Sequence, residues 1–483
     1  MPYIKRLALM SRTEHSGADT KLTVIVALIM LLLNYQPVNS SQWALPLAAC
    51  AAIVSAFSAQ SWIVMVVLSQ IAPDPPDALL SLGQLAVVGW AVTLPINGTV
   101  QKLRACGGLL TELLPLSLWC AALGLTVGNP MSLGFLSGPA VALIAWAYIS
   151  GSTRGPFTLL RAVVFSMGYP VLGYLAKLAG VSIVSKTYGS AGILSVERVG
   201  SGRGDVNTDA LNLCIFMVGM LAIALYKLNT RQGRAVPGSV FGYVACAAMA
   251  LPPLFQTVSR GSIYGAAVLI PAALFYYLWF SRRARTILIV GAAFLGTFGV
   301  AVGMSEWQFP GTRFLHESVE TVERRSAAAT GADVGPLGFL SDRSGLWNDH
   351  LTMMMQYPLS GPPRGSRWQA GGLGGTVGNS SDGWFAAHNT FIEFGSVGGI
   401  PAFLMFLWMF FAPPVRLLRR QGPVEAFVFL AVLSGVLVGF STLSIASWKS
   451  YWILLALVRA RTYYAAPVRV GVSSRLLGKQ QVS

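Results

Sequence analysis

Three basic residues stand where the charge distribution of a membrane protein does not call for them. Arg260 lies in Gln256-Thr257-Val258-Ser259-Arg260-Gly261-Ser262, which reads as a tight turn between two apolar runs. Arg343 lies in Ser341-Asp342-Arg343-Ser344-Gly345-Leu346-Trp347, ahead of a helical-looking stretch over 346–357. His388 opens the next apolar run, in Ala387-His388-Asn389-Thr390. A guanidinium held at a membrane boundary suits a phosphate-bearing ligand, because its planar fork donates two parallel charge-assisted hydrogen bonds. An imidazole, with an ordinary pKa of about 6.5, can exchange a proton with a hydroxyl at neutral pH. Each residue also has a plainer role open to it. Arg260 suits a snorkelling interface residue, Arg343 an ion pair with Asp342 or Asp349, and His388 a neighbour of a helix cap. Their convergence on one membrane face, around one long loop, favours the chemical roles.

The elements that must hold these residues are helices in lipid. Of the 483 residues, 54% are apolar and only 11% charged, with a mean hydropathy of +0.61. A soluble chain carries about a quarter charged residues. A large soluble enzyme, a disordered protein and a disulfide-stapled secreted domain are therefore excluded. The apolar runs are continuous, which does not fit the short alternating strands of a membrane barrel. The net charge of +16 (34 basic minus 18 acidic) reads as Lys and Arg gathered in the loops of one side. With no Gly-rich phosphate loop and no basic patch interleaved with aromatics, no nucleic-acid partner is expected. Cys50, Cys106, Cys120, Cys214 and Cys246 all fall in apolar runs without a C-x-x-C, and read as small buried residues. The four histidines lack H-E-x-x-H spacing, so neither a metal nor another cofactor is expected.

A membrane span needs roughly 20 apolar residues. Candidates are about 22–35, 43–58, 60–72, 79–97, 106–128, 132–150, 155–180, 210–228, 239–257, 262–280, 286–304, 389–411, 425–446 and 448–462, about 12–14 transmembrane helices in an all-α polytopic membrane protein. The runs 60–72 and 448–462 are short enough to be re-entrant or merged. The first run is expected to serve as a start signal, not a cleaved leader. Lys5 and Arg6, Lys102 and Arg104, Arg154 and Arg161, Lys227, Arg282, Arg416 and the tail from Arg459 then all fall on one side, which puts both termini in the cytoplasm. The organisation is membrane helices over 1–304, a large outward loop over 305–387, membrane helices over 388–462 and a basic tail over 463–483. The long loop carries Glu317, Glu320, Glu323, Asp333 and Asp342 and is too long for a passive connector. Its stretch 313–329 looks helical, and 361–383, rich in Gly and Ser, looks irregular.

The stretch from Arg343 to Phe403 resembles the core of the O-antigen ligase and polysaccharide polymerase superfamily. Arg343 is followed by Trp347 and then by Tyr357-Pro358-Leu359-Ser360-Gly361, similar to the family's P-L-x-G element. His388-Asn389 with Gly399 resembles the ligase pattern H-[NSQ]-x9-G-x-x-[GTY], and Ser259-Arg260-Gly261 resembles the S-R-G turn. The last position of the ligase pattern is Ala402 here, which favours the polymerase over the ligase. The resemblance covers about 239–411; the first half matches only as a string of spans.

That resemblance implies a glycosyltransferase free of metal and nucleotide, in the inner membrane of a bacterium. Its donor would be an oligosaccharide on undecaprenyl diphosphate, and its acceptor a growing glycan or lipid A–core. Membrane lipid and other polysaccharide export components would be its further partners. Arg260 and Arg343 would stabilise the diphosphate leaving group, and His388 would take the acceptor proton. Asn389 and Glu393 would orient His388. Arg313, Arg364 and Arg367 are candidates for glycan or phosphate contact and equally for solvated loop charges; Trp347 can stack on sugar or anchor at the interface. A lateral groove for lipid tails is expected beside the 239–280 hairpin. A small-solute transporter is the rival of another class, though few ionisable residues fall within spans: Glu112, Glu393 and Lys177.

Overall fold

The computed structural model describes residues 2–70, 74, 80–97, 107–126, 135–151, 155–181, 185–188, 198–201, 206–230, 238–257, 260–281, 291, 294, 338–362, 367–369, 376–378, 389–421, 423–443 and 448–464. The first half holds α1 (Pro2–Asn34), α2 (Gln36–Asn39), α3 (Ala44–Ser55), α4 (Ala59–Leu68), α5 (Leu82–Asn97), α6 (Gly107–Thr126), α7 (Ser137–Gly151), α8 (Pro156–Met167) and α9 (Tyr169–Leu178). An antiparallel pair, β1 (Ser185–Tyr188) with β2 (Arg198–Ser201), precedes α10 (Val206–Thr230), α11 (Gly238–Met249), α12 (Leu251–Gln256) and α13 (Arg260–Ser281). The second half holds α14 (Gly338–Gln356), a second antiparallel pair of β3 (Arg367–Gln369) and β4 (Thr376–Gly378), then α15 (Thr390–Gln421), α16 (Pro423–Thr442) and α17 (Lys449–Tyr464).

Among the described residues, four helical stretches are long and apolar enough to cross a membrane: Leu109–Thr126, Pro156–Ala176, Asn207–Leu228 and Thr390–Gln421. Shorter apolar helices pack with them, as in a helical membrane-embedded protein. The stretch Asn207–Leu228 is the most enclosed, and packs against α8, α11, α13 and α16. Helices α1, α3 and α6 instead turn large apolar residues outward, among them Leu28, Trp43 and Leu118. In lipid such a face needs no partner.

Prolines set most of the departures from the expected spans. The run 155–180 is two helices because Pro170 lacks the N–H that would continue the ladder past Gly168. The run 239–257 breaks at Ala250, ahead of Pro252 and Pro253. By contrast α15 passes through Pro413 and Pro414 and reaches Gln421, ten residues beyond the expected end at 411. Tolerance of proline is common in membrane helices, where neighbouring groups satisfy the freed carbonyls. The long loop also departs from expectation. Helix α14 begins at Gly338, so Arg343 lies within it instead of ahead of it. The Gly- and Ser-rich stretch 361–383, expected to be irregular, contains the β3–β4 pair. Cys50 and Cys246, expected to be buried, are exposed on apolar helices. The expected span 286–304, the expected helix 313–329 and Cys106 fall largely or wholly outside the described residues.

Two registers fix the ends of the bundle. Tyr276 stacks on Phe427 with ring centroids 5.5 Å apart, and a Cβ on Gly265 would overlap Val438. Helices α13 and α16 therefore run antiparallel, with residue 260 level with Leu443. At the other end, Glu112 of α6 joins Arg416 of α15 and Arg459 of α17, the latter at 2.8 Å. Beside them Gln421 exchanges hydrogen bonds of 2.8 and 2.9 Å with the Arg461 backbone and side chain. Arg161 and Lys227 share the ring of Tyr243 at this same basic end.

Candidate functional site

The opposite end gathers the S-R-G segment, the start of α15 and one flank of α14. Asn389 caps α15: its Oδ1 accepts from the backbone N–H groups of Phe391 and Ile392 at 3.1 and 3.2 Å. This is the usual work of Asn at a helix start, where the first N–H groups lack intrahelical partners. One residue on, Thr390 Oγ1 donates to the Leu443 carbonyl at 2.7 Å. The start of α15 is thus tied to the end of α16, level with residue 260.

Helix α14 lies alongside the first turns of α15 and runs in the same direction. His350, fully buried, meets Ser396 Oγ through Nδ1 at 3.0 Å, and Met354 packs on Gly395. The chain then turns through Tyr357-Pro358-Leu359-Ser360-Gly361, and Ile400 N–H donates to the Pro358 carbonyl at 2.7 Å. Position 343 lies about two turns of α14 before the His350 anchor. Positions 347, 350 and 354 form one stripe of α14, and 389, 393 and 396 form one stripe of the segment of α15 that precedes Gly399.

The two motif glycines make this contact possible. Gly399 breaks α15 with φ 75° and ψ −178°, and Gly361 has φ 65°. A Cβ on Gly361 would overlap the Val397 carbonyl, and one on Gly399 would come within 2.6 Å of the Pro358 carbonyl oxygen. The break frees the Gly398 carbonyl, which accepts from Trp119 Nε1 at 2.8 Å. The chain folds back at this break, so that Phe394 stacks on Phe406 at 4.0 Å and Phe391 meets Phe410 at 5.4 Å, with Phe440 against Tyr451 at 4.6 Å beside them. Ala402, the departure from the ligase pattern, is fully buried. Gly398 approaches it so closely that a Cβ there would lie 2.5 Å from the Ala402 Cβ. A larger residue at 402 would have to displace this turn.

The sequence-derived candidates distribute as follows. Arg260 is the first residue of α13, where a turn was expected, and is flanked by the buried hydroxyls of Thr257 and Ser262. Arg343 lies within α14, and Trp347, half-buried, lies on the stripe of that helix that carries His350. Glu393 is buried, at 4% exposure, in the first turn of α15, where a carboxylate is favoured by the helix dipole. Arg367 lies in β3. His388, Arg313 and Arg364 lie outside the described residues. The structure therefore brings residues 260, 389 and 393 to one end of the bundle, with α14, which carries 343 and 347, docked on the start of α15.

Sequence reasoning passed over His350, Ser396 and Lys449. The His350–Ser396 bond anchors α14 to α15, and only the four- and seven-residue spacing from Arg343 and Trp347 hinted at it. Lys449 begins α17 at the same end as Asn389, with its ammonium against Gly83. Its backbone N–H donates to Gln70 Oε1 at 2.7 Å. No family model matches the chain, and no curated protein matches it.

Proposed function

We propose that the chain transfers or polymerises undecaprenyl-diphosphate-linked glycan at the periplasmic face of a bacterial inner membrane, with both termini in the cytoplasm. The observation that carries this reading is the docking of the Arg343–Gly361 stretch on the start of α15, through His350 with Ser396 and through the Pro358 carbonyl with Ile400. The α13–α16 register brings position 260 level with the start of α15 as well. Two arginines and a histidine suit the departure of a diphosphate. The acceptor hydroxyl oxygen attacks the anomeric carbon, the bond from that carbon to the phosphate oxygen breaks, and the electron pair leaves with the lipid diphosphate. Arg260 and Arg343 stabilise that developing charge by charge-assisted hydrogen bonds. His388 takes the hydroxyl proton, and in-line attack inverts the anomeric centre. Asn389 orients His388 by fixing the start of α15 directly after it.

Purified protein incubated with undecaprenyl-diphosphate oligosaccharide in nanodiscs, without nucleotide or metal, tests this. A ladder of lengthening lipid-linked glycan is expected. His388→Ala should lower its rate by about 10²–10⁴, and Arg260→Ala or Arg343→Ala by about 10²–10³. Product formed only when lipid A–core is added would make the chain an O-antigen ligase. Undiminished activity in His388→Ala would sink the mechanism, and absence of product with every acceptor would favour a transporter.

A further inference from the structure

A cavity of about 420 Å³ lies far from that site, in a groove between α1, α4, α8 and α9. The three helices α1, α4 and α8 run in the same direction along it. Thr23 Oγ1 meets Ser61 Oγ at 3.2 Å near one end, and Tyr169 Oη donates to the Met30 carbonyl at 3.3 Å near the other. This sorts the lining by chemistry. Thr23, Gln60, Thr158 and Arg161 line the basic end, whereas Leu31, Leu68 and Leu172 line the end towards the middle of the bundle. Phe165 and Leu172 are 45% and 48% exposed on the apolar flank, so the groove opens sideways, where acyl chains would lie.

Arg161 is held in place from outside the cavity. Its Nη2 donates to Tyr243 Oη at 2.5 Å, and its guanidinium lies 5.6 Å from the centre of that ring. Lys227 Nζ lies 4.7 Å from the same centre. Two cations on one ring make this end of the groove positive. Asp19, the nearest acid on α1, is one position off the Thr20–Thr23–Ala27–Leu31 stripe that lines the cavity. Two buried polar atoms of the lining, Arg161 Nε and Gln60 Oε1, have no hydrogen-bond partner among the described residues. One is a donor beside a positive field and the other an acceptor, and leaving such atoms unmatched is costly.

We propose that this groove binds an anionic phospholipid of the leaflet at the basic end, of the phosphatidylglycerol type. The phosphodiester accepts from Arg161 Nε, a headgroup hydroxyl donates to Gln60 Oε1, and the first part of an acyl chain fills the apolar end. The proposal is independent of the transferase reading, since no residue is shared with that site.

Thermal unfolding of the purified protein in detergent tests it, with three additions titrated separately: dioctanoyl phosphatidylglycerol, dioctanoyl phosphatidylcholine and inorganic phosphate. Phosphatidylglycerol should raise the midpoint saturably, at lower concentration than phosphatidylcholine. Arg161→Gln should raise its half-saturating concentration at least about tenfold, as expected for loss of a charge-assisted hydrogen bond. Ala27→Phe, which fills the groove and keeps the arginine, should do the same. Tyr243→Phe, which keeps the ring and removes the hydrogen bond that holds Arg161, should raise the half-saturating concentration by less than Arg161→Gln does. Equal half-saturation in wild type and Ala27→Phe would overturn the proposal. So would an equal response to phosphatidylcholine, or a response to inorganic phosphate as strong as that to the lipid.

Discussion

Asn389 spends its side-chain oxygen on its own helix, so its contribution to any ligand passes through the direction in which α15 starts. Asn389→Ala should lower stability by about 1 kcal/mol, the usual cost of a lost cap, while Asn389→Asp should retain most of it. Unfolding midpoints of the two variants in one detergent check this, and equal losses would refute the capping role. The glycines are less replaceable. Gly399→Ala and Gly361→Ala each force a side chain into left-handed backbone and against a neighbouring carbonyl. Each should cost at least about 1–3 kcal/mol, read as a lowered midpoint even where the rest of the fold survives. The pattern H-N-x9-G thus spaces a cap from a break: Asn389 begins a short helical segment and Gly399 ends it.

At the scale of elements, the apolar runs announced the apolar helices among the described residues, four of them long enough to cross a membrane, because such helices need only composition and length. Their internal breaks were less legible. Pro170, Pro252 and Pro253 interrupt helices, whereas Pro413 and Pro414 do not, and the difference lies in neighbours that no local pattern displays. Helix α14 was half visible for a related reason. Its apolar content is modest, and what holds it is one buried His–Ser bond and one backbone bond to a broken helix. The side of α14 that meets α15 followed only once that docking was known. The register makes a sharp prediction. In a cysteine-free background, Trp347→Cys with Glu393→Cys should be joined by a short bifunctional maleimide, whereas Trp347→Cys with Ala402→Cys should not. The opposite pattern, read as a gel shift after proteolysis between residues 362 and 389, would mean that α14 packs the other way round. His350→Ala should weaken this docking as well, by about 0.5–1.5 kcal/mol for the lost bond, since Ser396 keeps its own bond to the Glu393 carbonyl.

Across the whole molecule, polar residues are sorted to the two ends. One end ties α6, α15 and α17 through Glu112, Arg416, Arg459, Gln421 and Arg461. The other carries position 260, Asn389 and Lys449. Glu112, noted in the sequence as a rare acid within a span, is the common partner of two arginines from the second half. Glu112→Ala should therefore destabilise by about 2 kcal/mol, less than the 3–5 of a fully buried pair because Arg416 is partly exposed. Adding Arg459→Met should recover part of the loss, since it removes a cation left without its carboxylate. Additive losses in the double variant, measured by thermal unfolding, would contradict that coupling.

The docking of α14 also bears on the order in which the chain can be completed. Residues 338–362 leave the ribosome before residues 390–421, yet the partners of His350 and of the Pro358 carbonyl are Ser396 and Ile400. The segment must therefore wait, its histidine unmatched, until α15 has been inserted. A nascent chain stalled before residue 390 would present a cleavable 338–362 segment to proteases, and one stalled after residue 421 would protect it.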